Sequence, residues 1–361
     1  MLLIILFTSL LLLFQLAAYK MKTKANKVIE ACSIIILISI SAIISFRTGV
    51  AVHSSDIIVY QNYVGCVNYN MSLVDCNSFI GASSSDIVLF GIVKVLSLFN
   101  LGSQSVFFVC SLIISMSFFC FYKRLTTLLP LALFLVLVDS NYWELTANIL
   151  RQSLAISFFL FLIAMPRYNS FLLKILAFTL IVLCISSHPI GIVYLVCYFV
   201  SFYISLRNAI IFFILSLFLG YGLLPYLASL LTDFNSFAIV KKIQGYSSIE
   251  SKSDFFSIFG KLNVVILAAI CFLNRRISSS FFLRSITFLL LLLSVGAIFV
   301  STPLIYRILN IVPFLMILLL LYLVKSNVKN SKLLLLIYLL WNFTFDIINY
   351  QNSMRFIVNE V

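Results

Sequence analysis

NILRQSLAISFFLFLIAMPR, residues 148–167, decides the fold. At a helical rise of about 1.5 Å per residue it reaches about 30 Å, the thickness of the hydrocarbon layer of a bilayer. Its charged residues, Arg151 and Arg167, stand towards its two ends, and everything between except Gln152 is apolar or small. A segment of this kind reads as a membrane helix. Apolar runs at 34–46, 105–121 and 314–324 repeat the theme, separated by polar stretches too short to fold alone.

Composition agrees. Hydrophobic residues make up 63% of the 361, charged residues 10%, and the mean hydropathy is +1.17, far from a soluble domain. The expected fold is an all-α polytopic membrane domain spanning 1–361, with no soluble domain to hold a nucleotide. The first stretch, MLLIILFTSLLLLFQLAAY, has no basic residue ahead of its apolar core and four lysines just after it, Lys20, Lys22, Lys24 and Lys27. That order is the reverse of a signal peptide, so a retained helix is expected.

The formal charge of +13 does not call for nucleic acid, because the basic residues sit in short clusters between apolar runs and not along one exposed face. Lys20–Lys27, Lys123 with Arg124, Arg167 with Lys174, Arg207, Arg275 with Arg276, and Lys325 with Lys329 and Lys332 read as cytoplasmic clusters under the positive-inside rule. The segment DIVLFGIVKVLSLFN, 86–100, is about 15 residues long with Lys94 midway, short of the roughly 20 needed to cross. A crossing there would also move Lys123 and Arg124 outside, so it is read as a helix in the outer leaflet, with the next span at 104–122. Further spans are expected at 127–139, 147–165, 170–187, 190–206, 208–225, 261–273, 281–300, 308–324 and 333–349. With the first two this makes about twelve crossings, both termini outside. Ten of the eleven acidic residues then fall at or near the outer face, Glu30 being the exception. The outer face also holds a first segment, 47–103, and a second, 226–260, where recognition or chemistry is expected.

Cys66 and Cys76 lie in the first outer segment with nine residues between them, so a disulfide is compatible with an oxidising compartment. The other cysteines fall mostly in apolar spans, where a small polarizable side chain packs. Two histidines, His53 and His188, and no ligand spacing argue against a zinc site.

The positive-inside bias leaves several outer cations unaccounted for, among them Arg47, Arg151 and Arg307, each at a helix end. One arginine at such a place is explained by snorkelling to lipid phosphate or by a structural ion pair. Three point to an anion site, because guanidinium stays charged and offers a planar fork that matches phosphate oxygens. On a continuous helical wheel Glu144, Asn148, Arg151, Gln152 and Ala155 fall within about 100°, with Leu150, Leu154, Phe158 and Phe161 on another side. Glu144 is the expected partner of Arg151 if the helix extends that far. His188, in SSHPIG, sits in a tight reversal between two spans, as a turn residue or as a catalytic one. Asp56 and Tyr60 are four apart in DIIVYQNY and share a face of a short helix.

In their order these pieces resemble the EpsG-type and O-antigen polymerase (Wzy-type) families of bacterial polysaccharide synthesis. The resemblance rests on FRTGVAVHSSDIIVYQNYV with Arg47, Asp56 and Tyr60, on NILRQSLAISFFLF with Arg151, Gln152 and Ala155, on SSHPIGIVYL with His188, and on IYRILNIVPF with Arg307. His188 is followed by Pro-Ile-Gly, where such families more usually carry a run of small residues. The resemblance implies an inner-membrane glycosyltransferase that moves a growing glycan from undecaprenyl diphosphate to a lipid-linked repeat unit at the periplasmic face. It would need no cofactor and no metal, and its partners would be that oligosaccharide, membrane lipids and a chain-length regulator, with no nucleic acid. In this reading Arg151 and Arg307 meet diphosphate oxygens. Arg47 serves a second phosphate or structure, Gln152 a sugar or phosphate oxygen, and Tyr60 substrate binding. Asp56, Glu144 and His188 are the base candidates. A flippase for the same lipid-linked unit, a ligase, a membrane acyltransferase and a secondary transporter are the competing functions. Charges gathered at one face, and not through the membrane middle, favour the polymerase over the flippase. The modest second outer segment argues against the ligase, and the lack of a clear internal repeat against the transporter.

Overall fold

The computed structural model describes residues 24–45, 55–80, 87–126, 128–147, 149–166, 170–220, 280–299 and 304–326, with 333, 335, 336 and 338. Among these every regular element is a helix. They are α1 Lys24–Ser45, α2 Ser55–Asn68, α3 Leu73–Ile80, α4 Ile87–Ser97, α5 Ser103–Leu125, α6 Leu129–Val138, α7 Ser140–Ala147, α8 Leu150–Ala164, α9 Phe171–Ser187, α10 Ile190–Val200, α11 Leu206–Phe218, α12 Ser280–Ile298, α13 Leu304–Leu309 and α14 Val312–Lys325. Arg47, the first span and the second outer segment at 226–260 lie outside the described residues, as do the expected spans at 261–273 and, for the most part, 333–349.

Four stretches are long and apolar enough to cross a membrane, Lys27–Ser45, Ser103–Leu125, Ser280–Ile298 and Arg307–Lys325. Six apolar helices are shorter, α4, α6, α8, α9, α10 and α11. The chain is therefore an all-helical membrane protein. α4 covers 11 residues, about 16 Å at the helical rise, and α6 and α10 are no longer, at 10 and 11.

The chain divides into two compact units, Met1–Gly191 with Leu320–Val361, and Ile192–Leu319. In the first, α5 is the central helix and packs on α1 and α8, while α8 packs on α9. Serines make these approaches close. Ser41 of α1 meets Ser111 and Ser115 of α5 at 3.4 Å each, and Ser115 meets the hydroxyl of Tyr142 at 2.8 Å. Small hydroxyl residues act this way between apolar helices, since their side chains admit a neighbouring backbone and bond across the gap. Ser33, Ser41 and Ser157 also bond the carbonyl four residues back, so these three hydroxyls are not buried at a loss.

α1 and α5 run antiparallel, and this explains the acidic exception of the sequence. Glu30 near the start of α1 accepts from Lys123 Nζ in the last turn of α5 at 2.8 Å. The opposite end of α5 carries a cap of short helices. Tyr60, Tyr63, Cys66 and Val67 of α2, Cys76 of α3 and Leu89 and Val93 of α4 form one buried cluster with Val106, Phe107 and Cys110 of α5 and Leu150 and Leu154 of α8. Apolar residues recur every third or fourth position in α2 and α4, which is why each can lay one face on the bundle.

α9 and α10 turn through His188 and Pro189 with almost no connection. The turn needs Gly191, because a Cβ there would fall into the backbone carbonyl of Cys184. In the second unit α11 packs on α12, and α12 on α13. The last long stretch is not one helix. α13 stops at Leu309 and α14 starts at Val312, where Pro313 has no N–H to continue the ladder.

Candidate functional site

The wheel drawn through Glu144 and Arg151 is broken. α7 ends at Ala147 and α8 begins at Leu150, so the two residues belong to different helices and share no stripe. α7 exists because Asp139 caps it. Its Oδ1 accepts from the Asn141 backbone N–H at 2.9 Å and from Asn141 Nδ2 at 2.7 Å, an aspartate occupying the position before a helix start. Trp143 Nε1 donates back to the Leu137 carbonyl at 2.9 Å. The corner into α8 is then tied by Ser153, whose hydroxyl reaches the carbonyls of Leu145 and Ile149 at 2.6 and 2.7 Å, and by Ile149 N–H on the Glu144 carbonyl at 3.1 Å. Glu144 and Arg151 are thus held by a rigid corner, not by a common helix face.

Arg151 is the second residue of α8 and half-buried. Its guanidinium carbon lies 6.0 Å from the centre of the Tyr60 ring, the outer reach of a cation–π contact. Tyr60 itself is 1% exposed and takes Phe107 edge-on at 6.2 Å. Tyr60 therefore stands as the platform under Arg151, enclosed by the α2–α4 cap.

Gln152 is fully buried, as are Ser153, Leu154, Ala155 and Ile156. α8 is consequently enclosed on both the polar and the apolar side, and the Gln152 stripe faces protein. Glu144 keeps surface open to solvent while surrounding protein raises its carboxyl above the usual carboxylate range by desolvation. The two observations fit a carboxyl in a concave position.

His188 closes α9 in extended backbone, φ −165° and ψ 141°. Its Nδ1 accepts from the Ile190 N–H at 3.2 Å, and its carbonyl accepts from the Gly191 N–H at 2.9 Å. With Nδ1 an acceptor, the ring proton belongs on Nε2. Asp56 lies in α2, one turn before Tyr60, and its side chain is outside the described residues. Arg307 lies in the second unit on the short α13, half-buried, with the Tyr194 hydroxyl donating to its backbone carbonyl at 2.8 Å. Among the described residues no three His, Cys, Asp or Glu side chains gather as a metal-ligating group.

Sequence reading missed Asp139, Ser153 and Tyr194. The first had a signal in DSNY, an acidic residue followed by small polar ones. The other two sit inside apolar runs without one.

Compared with known families, the chain matches the EpsG family over residues 30–358. No curated protein and no solved structure matches it.

Proposed function

Since the chain belongs to the EpsG family, a family of Wzy-type polymerase-like membrane proteins, we propose that it is a polysaccharide polymerase acting on lipid-diphosphate-linked repeat units. The growing glycan leaves undecaprenyl diphosphate and joins the non-reducing end of a new repeat unit, at the periplasmic face of the inner membrane. About twelve crossings with both termini outside remain the topology of this reading. It is supported by the ion pair of Glu30 with Lys123 at one end of the α1–α5 pair and the gathering of α2, α3 and α4 at the other.

The observation that carries the reading is Arg151 at the first turn of α8, backed by the Tyr60 ring. In the transfer the acceptor hydroxyl attacks the anomeric carbon, the bond from that carbon to the diphosphate oxygen breaks, and negative charge grows on the diphosphate. A guanidinium at this place would offset that charge, and the adjacent helix N-terminus adds a favourable dipole. Arg307 would serve a second phosphate oxygen and Arg47 a further phosphate or the fold. Gln152, buried, would act on the substrate only through Arg151 or a glycan that enters between helices.

The acceptor proton needs a carboxylate or an imidazole. His188 is the weakest of the three candidates, because its Nδ1 already accepts a backbone N–H and its Nε2 then carries a proton. Glu144 is favoured, since a raised carboxyl is a stronger base once ionised, with Asp56 the alternative. The test is Arg151→Lys and Arg151→Ala in the producing strain. Polymer should be lost while the single-repeat glycolipid still reaches the outer leaflet and the protein stays at its normal level. Long chains persisting in both variants would sink the assignment, and loss of the outer-leaflet intermediate would point to the flippase.

A further inference from the structure

The cap formed by α2 and α3 contains two thiols side by side. Cys66 lies near the end of α2 and Cys76 in the first turns of α3, and the Cys66 thiol is near enough to raise the pKa of Cys76. Both are buried, at 2% and 0% exposure, in the cluster that holds Tyr60 and Tyr63. They stand here as thiols.

The turn that brings them together is built by local signals. Asn70 takes φ 53°, the left-handed conformation that ends helices and that asparagine tolerates. Tyr69 N–H reaches the Gly65 carbonyl at 3.1 Å and Met71 N–H the Cys66 carbonyl at 3.0 Å. Ser72 then opens α3. Its hydroxyl accepts from the Asp75 N–H at 3.2 Å and donates to Asp75 Oδ2 at 2.5 Å, a Ser-x-x-Asp start signal. A helix stop and a helix start within a few residues fix the α2–α3 angle, and with it the approach of the two sulfurs.

We propose that Cys66 and Cys76 are a structural disulfide in the mature protein, closed by exchange with a protein disulfide and stapling α2 to α3 within the cluster that holds Tyr60. The inference rests on the outer-face reading of this segment. In the step each thiol loses a proton, two electrons pass to the oxidant's disulfide, and that disulfide is released as a dithiol. Exchange requires a thiolate, yet desolvation and the neighbouring thiol push Cys76 up to about 12 once the cap is packed. The docked cap, in which both sulfurs are buried, shields the closed bond from reductant.

Cells making the full-length protein are treated with an alkylating reagent before lysis, the protein is purified under denaturing conditions with the reagent present, and its peptides are weighed. The expected result is a Cys66–Cys76 cross-linked peptide that separates on reduction, while the equally buried Cys110 is recovered alkylated. In parallel, Tyr69→Cys, at a position 80% exposed in the same turn, is placed in a Cys66→Ala/Cys76→Ala background. It is probed in whole cells with a membrane-impermeant maleimide against that background alone. Labelling from outside with both native thiols alkylated overturns the disulfide and leaves the outer-face reading standing. No labelling from outside, with labelling after permeabilisation, overturns the outer-face reading and the disulfide with it. Cross-linking accompanied by outside labelling supports both.

Discussion

The guanidinium of Arg151 lies over the ring of Tyr60, 6.0 Å from its centre, and the ring is held edge-on by Phe107. A platform of this kind helps to orient a charge. Tyr60→Phe keeps the ring and should keep polymer formation close to that of the wild type. Tyr60→Leu removes the platform and should cost about 0.5–2 kcal/mol of positioning, about a 2- to 30-fold loss of turnover. Polymer length distribution and turnover of a lipid-linked repeat in proteoliposomes measure both. Equal losses in Phe and Leu would show that the hydroxyl, and not the ring, is what matters.

Glu144 gives a prediction in pH. Desolvation raises its carboxyl, so the base form is lost as pH falls through a value above the ordinary carboxylate range. The acid limb of the pH–rate profile should lie correspondingly high. Glu144→Gln should remove that limb and lower turnover by about 10²- to 10⁴-fold. Stability carries the sign of the same shift. A carboxyl whose pKa is raised on folding favours the folded state at low pH, and that contribution is lost as pH rises through the folded value. Glu144→Gln should therefore unfold at a slightly higher temperature than the wild type at neutral pH, a trade of stability for function that thermal unfolding in detergent can read.

The spans were legible where composition alone decides. Ser103–Leu125 and Ser280–Ile298 differ by a few residues at most from the segments expected at 104–122 and 281–300, because a long apolar run closed by charges has one reading in a bilayer. α4 was legible as a short helix, its apolar run being bounded by Asp86 and Asn100. The start of α8 was not. A wheel drawn through Glu144 assumes one continuous helix, whereas Asp139 caps a separate α7. Caps compete locally with helix continuation, and hydrophobic periodicity does not register them.

Much less of the candidate site was legible. Arg151 was conspicuous as a charge at the head of an apolar run, but its contact with Tyr60 joins segments far apart in the chain. His188 read as a turn residue first and as a base second, and the Ile190 N–H on Nδ1 agrees with the turn. Glu30 looked like an exception to the topology until its partner Lys123 was identified.

That pair yields a modest prediction. Glu30 and Lys123 are substantially accessible, with side-chain exposures of 34% and 48%, so solvent screens them. A double-mutant cycle with Glu30→Gln and Lys123→Gln should give a coupling of about 0–1 kcal/mol that shrinks with added salt. Removing Lys123 alone should leave the orientation of α5 unchanged, because Arg124 beside it still marks the same end. Reporter fusions on either side of α5 test this, and inversion of the helix in Lys123→Gln would contradict it.

The break between α13 and α14 supplies the last test. The carbonyls at the end of α13 lose their helical partners where the chain stops at Leu309 and Pro313 contributes no N–H. Tyr194, 0% exposed, answers one of them by donating its hydroxyl to the Arg307 carbonyl at 2.8 Å. Tyr194→Phe deletes that donor and leaves the ring packed, so the cost to stability should be about 0.6–1.7 kcal/mol, the range of hydrogen bonds between membrane helices. If Arg307 grips a phosphate, loosening its backbone should raise KM for the lipid-linked unit more than it lowers kcat, since ground-state and transition-state binding weaken together. Arg307→Lys should show the same pattern more strongly, a point charge replacing a fork. An unchanged KM in Tyr194→Phe together with the expected loss of stability would make Tyr194 a brace for the helix break alone and detach Arg307 from substrate binding.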